Sequence, residues 1–142
     1  MEILFICTGN TCRSPMAEGL LRKAARDAGI EAHAVSAGVS VFAPEPASEN
    51  AVKAASELGA DISGHRARLV NSELLGAAGA VYCMTGAHLA MLKSMYPQYA
   101  FKLRTLDPDG DVTDPFGGGG EDYRRVAARI NALVAGLVSN GR

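Results

Sequence analysis

The sequence has no tryptophan, and only 6% of its 142 residues are aromatic. It therefore advertises no large apolar contact surface. It also lacks an excess of either charge: 14 Lys and Arg stand against 15 Asp and Glu, a net charge of −1. That balance argues against a general electrostatic clamp on nucleic acid or acidic lipid. No apolar run approaches the ~18 residues that a membrane span requires. Cysteine is sparse and odd in number (Cys7, Cys12 and Cys83), without the spacing of a disulfide framework. Cys7 stands too near Met1 for a cleaved leader to precede it, so a reducing cytoplasm is the expected compartment. Cys7 and Cys12 lack short metal-ligand spacing and His33, His65 and His88 are scattered, so neither a metal nor another cofactor is expected.

What is present is core material and glycine. Hydrophobic types make up 48% of the chain and charged types 20%, enough for one sizeable core. One domain spanning residues 1–142 is expected. Ile3 to Ile6 is a short apolar run of the kind found in a central strand covered on both faces. Ser14-Pro15 opens a helix with an apolar stripe at Ala17, Leu20, Leu21, Ala24, Ala25 and Ala28, stopped by Gly29. Further strands are expected near His33 to Ser36, Ala80 to Cys83 and Phe101 to Leu106. Helices are expected from Ser48 to Leu58, near Glu73, from Ala87 to Met95 and from Glu121 to Val138, with Asp61 to Arg68 and Asp107 to Gly120 irregular. Alternating strands and helices predict an α/β domain with a parallel sheet.

The most informative segment is Cys7-Thr8-Gly9-Asn10-Thr11-Cys12-Arg13-Ser14, between a strand end and a helix start. A loop curled there turns successive backbone N–H groups inward, and the helix adds its positive end, which suits a tetrahedral dianion. Arg13 brings a fork of donors for two of its oxygens. In that field the Cys7 thiol is expected to be a thiolate at neutral pH. Ser14 is placed to donate to the sulfur and ease its departure in a second step. Thiolate, anion cradle and guanidinium together describe nucleophilic attack on phosphorus with a phosphocysteine intermediate. The Gly-Lys-[Ser/Thr] ending of a nucleotide-binding P-loop is missing. Two Asp-Pro pairs, Asp107-Pro108 and Asp114-Pro115, offer a proton donor for the leaving group, and spacing alone does not choose between them.

The run from Cys7 through Glu18 resembles the phosphate loop of the low-molecular-weight protein tyrosine phosphatase family. Ser36-Ala37-Gly38, the segment Asp61 to Arg68, and Asp114-Pro115-Phe116 match its recurrent segments in the same order. The resemblance implies a three-layer flavodoxin-like fold with a four-stranded parallel sheet of order 2-1-3-4, whose switch point lies at the end of the first strand. It selects Asp114 as the acid and Phe116 as a wall, leaving Asp107 to turn chemistry. Catalysis falls to Cys7, Arg13 and Asp114, and substrate binding to Thr8, Gly9, Asn10, Thr11, Cys12, Ser14 and Phe116. Asn10 holds the loop's shape, with His65 and Ser36 in support, and Cys12 is a redox partner for Cys7 or a small packing residue. Cys83 is expected in the core.

Thr11 bears on the substrate. Tyrosine-specific members usually carry an apolar residue there, and this chain is most like the bacterial protein-arginine phosphatase branch. A hydroxyl at this position can pair with a phosphoguanidinium that an apolar side chain would leave unpaired. The partners implied are phosphorylated proteins, with phosphate as product, and neither nucleic acid nor a membrane. Two rival readings are arsenate reductase, which needs a further pair of relay cysteines, and a binding module that has kept the fold without the chemistry.

Overall fold

The computed structural model describes residues 1–139. Its sheet is built from β1 (Glu2–Cys7), β2 (His33–Gly38), β3 (Ala80–Cys83) and β4 (Leu103–Thr105). The strands are all parallel, in the order β2-β1-β3-β4. β1 lies in the interior, with Leu4 opposite both Val35 and Val81. Alternation along β1 divides the core. Ile3, Phe5 and Cys7 face one cluster, and Leu4 and Ile6 face another. The first cluster takes the helices α1 (Arg13–Asp27), α2 (Glu49–Glu57) and α5 (Gly120–Ser139) through Met16, Leu20, Ala51, Ala55 and Ile130. The second takes α3 (Ser72–Ala77) and α4 (Gly86–Met95) through Leu75 and Leu92. The apolar run Ile3 to Ile6 of β1 is thus covered on both faces, and the expected three layers and strand order are observed.

Helix starts follow side-chain chemistry. Ser48 Oγ accepts from the Ala51 amide at 3.3 Å, Asn71 Oδ1 from Leu74 at 2.8 Å, and Thr85 Oγ1 from His88 at 3.1 Å. Gly29 and Gly59 follow α1 and α2 at φ of 69° and 91°, a conformation in which a Cβ is strained. The order β2-β1-β3 makes the C-terminal end of β1 the point where the chain's crossovers part to opposite faces of the sheet, leaving a crevice there.

Two expectations need correction. The fourth strand is shorter than Phe101 to Leu106, because a 3-10 turn occupies Pro97–Lys102. Lys102 Nζ donates to the carbonyls of Leu75 and Ala78 at 2.8 and 2.7 Å, tying the turn to the end of α3, while Phe101 remains exposed. Ala28 lies on the exposed side at the end of α1 and contributes nothing to the buried stripe.

Tyr82 is fully buried and stacks on Phe5 with ring centroids 6.1 Å apart, and its hydroxyl has no hydrogen-bond partner among the described residues. Tyr82→Phe keeps the ring and removes an unsatisfied polar atom. Thermal unfolding is expected to show unchanged or increased stability, by up to about 1 kcal/mol. A loss of that size would mean that the hydroxyl is paired.

Candidate active site

The loop from Thr8 to Cys12 joins the interior strand to α1, and its floor is the Cys7 sulfur. Cys7 Sγ lies 2.8 Å from Ser14 Oγ, and the backbone N–H groups of Asn10 and Ser14 also point at it. No acidic residue occupies the first turn of α1, so nothing on that helix neutralises its positive end. A cleft of about 220 Å³ opens above the sulfur, lined among others by Thr8, Thr11, Arg13, Asp114 and Phe116.

Asn10 is the hub of the loop. It is fully buried at φ of 56°, the left-handed region, where asparagine is among the better tolerated residues. Its Nδ2 donates to Ser14 Oγ at 2.7 Å and to Ser36 Oγ at 3.0 Å, and its Oδ1 accepts from the Arg68 amide at 3.0 Å. Its carbonyl accepts from His65 Nε2 at 2.7 Å, which places that ring's proton on Nε2. Ser36 in turn donates to Glu18 Oε1 at 2.8 Å. His65 and Ser36 therefore sit behind the loop, bonded to Asn10 and not among the residues that line the cleft. Gly38 completes the support, since a Cβ there would lie 2.5 Å from the Thr8 carbonyl oxygen. That close approach was not legible as a role in the sequence, where Gly38 was only part of a matching segment.

Arg13 is 4% exposed although charged. One terminal nitrogen donates to the Val112 carbonyl at 2.9 Å and the other lies 3.5 Å from Asp114 Oδ2. The guanidinium thus bridges the phosphate loop and the Asp-Pro loop, and Arg13 lines the cleft. Asp114 is half exposed, and its Oδ1 accepts from the Phe116 amide at 3.0 Å. The other Asp-Pro carboxylate is committed elsewhere. Asp107 pairs with Arg129 at 2.8 Å and accepts from the Asp109 amide at 3.0 Å, which holds it below the usual carboxylate range. Cys12 lines the cleft and also lies 3.4 Å from Tyr123 Oη and 3.5 Å from Ser48 Oγ. All three cysteines are free thiols. Burial pushes Cys83 up to about 12.

Opposing influences meet at Cys7. Burial pushes the thiol up from its ordinary value, against the Ser14 hydroxyl, the Ser14 amide, Arg13 and the Asn10 amide, which all pull it down. A bound dianion changes the proton count. Thiolate and dianion together would oppose one guanidinium, whereas a thiol with a dianion, or a thiolate with a monoanion, carries one charge less.

Comparison with known proteins now decides the lineage. The family model described as low molecular weight phosphotyrosine protein phosphatase matches residues 2–140. The chain belongs to that family. A protein-arginine-phosphatase of Bacillus subtilis is 36% identical over 142 residues, covering 96% of this chain and 94% of its relative. A YwlE arginine phosphatase structure, a mutant whose active-site serine replaces cysteine and is phosphorylated, superposes with a TM-score of 0.95 at 34% identity, covering 99% of this chain and 95% of the other. A low-molecular-weight protein tyrosine phosphatase of T. tengcongensis superposes with a TM-score of 0.94 at 41% identity, covering 99% of both chains. Members of this phosphatase family are hydrolases, and this chain has their sheet order.

Two outcomes are expected from this geometry. Ser14→Ala removes the largest influence that lowers the Cys7 thiol. The pH midpoint of Cys7 alkylation by iodoacetamide should therefore rise relative to the parent, and an unchanged midpoint would contradict the Ser14 contact. Gly38→Ala should destabilise the fold by about 1–3 kcal/mol, measured by denaturant titration, because the phosphate-loop backbone must move to admit the methyl group.

Proposed function

We propose that this chain hydrolyses phosphorylated protein side chains through a phosphocysteine at Cys7, taking phosphoarginine ahead of phosphotyrosine. The observation that carries the reading is the single cleft in which the Cys7 sulfur, Arg13, Asp114 and Thr11 meet. In the first step Cys7, its thiol proton having passed to the bound phosphoryl dianion, attacks phosphorus as the thiolate. The S–P bond forms as the P–N bond to the guanidinium breaks, and Asp114 gives its proton to the departing nitrogen. The loop amides and Arg13 hold the equatorial oxygens as charge redistributes. In the second step water attacks phosphorus and gives a proton to the Asp114 carboxylate. The S–P electron pair returns to sulfur, to which the Ser14 hydroxyl 2.8 Å away donates a hydrogen bond. Phosphate then leaves.

Thr11 supports the preference for phosphoarginine. Its hydroxyl lines the cleft, and its contact with Cys12 Sγ is long at 3.8 Å, so it remains available to a substrate N–H. Asp114 accepts from its own loop at one oxygen and faces Arg13 with the other, a carboxylate already placed beside a guanidinium. The likeness to a protein-arginine-phosphatase over 96% of this chain points the same way. The tyrosine reading has its own support in the 41% identity to a protein tyrosine phosphatase. Arsenate reduction is disfavoured because Cys83 belongs to the core cluster on the face of the sheet opposite Cys7. It has no cysteine partner later in the chain.

The test is kcat/KM on phosphoarginine and phosphotyrosine for the parent, Thr11→Ile, Asp114→Asn and Cys7→Ser. Cys7→Ser should abolish turnover on both substrates, and retained activity would refute nucleophilic attack by Cys7. Asp114→Asn should lower kcat by about 10²–10⁴-fold. Thr11→Ile should move the ratio of the two kcat/KM values toward phosphotyrosine by at least about tenfold, the effect of one buried polar group left unpaired. An unmoved ratio would remove Thr11 from substrate choice.

A further inference from the structure

His88 is a buried imidazole that the mechanism above leaves without a task. From the sequence it was one of three scattered histidines with no assigned role. It lies in the first turn of α4 and is 6% exposed. Its Nε2 is 2.8 Å from Thr8 Oγ1, in the phosphate loop and on the cleft wall, and its Nδ1 is 3.0 Å from Thr85 Oγ1. Two loops that approach each other only through the fold, at the ends of β1 and β3, are therefore joined through one imidazole.

Hydrogen-bond counting assigns the protons. Thr85 Oγ1 already accepts the His88 backbone N–H at 3.1 Å. Its hydroxyl proton is satisfied if it donates to Nδ1, which leaves the ring proton on Nε2. The opposite tautomer would make Thr85 accept twice and strand its own proton. Nε2–H then donates to Thr8 Oγ1, and the Thr8 hydroxyl, with no other partner among the described residues, keeps its proton for the cleft.

We propose that His88 is a positioning residue: as the neutral Nε2–H tautomer it fixes the Thr8 hydroxyl as a hydrogen-bond donor to the substrate bound above Cys7. The inference deepens the phosphatase reading and rests on it. The surroundings keep the ring neutral. Burial lowers its pKa from the usual 6.5 and the Arg13 guanidinium lowers it further, against Asp111 and Asp114. These are the charged groups facing it from α1 and from the Asp-Pro loop, with Thr8 and Thr85 as its polar neighbours. Asp111 is itself fixed by accepting the Gly86 amide at 2.8 Å. Protonation at Nδ1 would turn the Thr85 hydroxyl around and place a second cation near Arg13, so binding of substrate through Thr8 weakens at pH values below the lowered pKa.

The decisive experiment joins a double-mutant cycle to direct observation of the ring. His88→Ala and Thr8→Val should each lower kcat/KM by about 3–10-fold, the worth of one hydrogen bond. The double variant should lose no more than Thr8→Val alone, and His88→Gln, which keeps an N–H near the Nε2 position, should recover most of the activity. Losses that multiply in the double variant, or a His88→Ala enzyme with parental kcat/KM, would overturn the proposal. Long-range proton–nitrogen NMR on the parent should show His88 protonated at Nε2 and bare at Nδ1, and the reverse pattern would overturn it without any activity measurement. If His88→Ala unfolds, the Gln variant and the NMR pattern still decide. Failure of the phosphatase reading itself would appear separately, as turnover that survives Cys7→Ser.

Discussion

Everything at the site depends on holding backbone N–H groups inward around a buried sulfur, and Asn10 makes that possible. A loop whose amides converge is electrostatically unfavourable by itself, because like partial charges crowd one point. Asn10 offsets this by accepting φ of 56° and by tying its two polar side-chain atoms to three parts of the fold: Ser14 in α1, Ser36 in β2, and the Arg68 amide at the end of the Asp61 to Arg68 segment. His65 locks the same residue's carbonyl. The loop's shape is thus determined by the protein before any anion arrives, so that little reorganisation remains for the moment of reaction.

Burial sets the second constraint. The sulfur that must become nucleophilic lies among Phe5, Met16 and Ala17 in the larger core cluster, and desolvation opposes its ionisation. The fold answers with short-range donors rather than with net charge: a hydroxyl at 2.8 Å, two amides, and one guanidinium. This is consistent with a nearly neutral chain. Arg13 brings positive charge to the cleft, and its bonds to Val112 and Asp114 also hold the Asp-Pro loop against the phosphate loop. On the proposed mechanism, substrate binding and placement of the proton donor are coupled through this one side chain.

Much of this was legible in the chain. The strand, the loop of five residues between Cys7 and Arg13 and the Ser-Pro helix start announce an anion site because each requirement is local in sequence. Strand order and the choice of Asp114 over Asp107 came from family resemblance; the strand order is observed, and Asp107 is committed to Arg129 and the Asp109 amide. What was missed is long-range. The contact of Gly38 with Thr8, the bridge from Arg13 to Val112 and the link of His88 to Thr8 join residues 30 to 99 positions apart in the chain. The 3-10 turn before β4 was hidden for a similar reason, because Lys102 is held by carbonyls of α3. The donors around Cys7 can be counted from sequence, whereas the burial that opposes them cannot.

The central claim is that phosphorus passes through the Cys7 sulfur. Rapid acid quench of the Asp114→Asn variant during turnover of phosphoarginine, followed by peptide mass spectrometry, tests it most directly. One phosphoryl group on the peptide containing Cys7 is expected. The same group on another peptide, or hydrolysis that continues after Cys7 has been carboxymethylated, would contradict it.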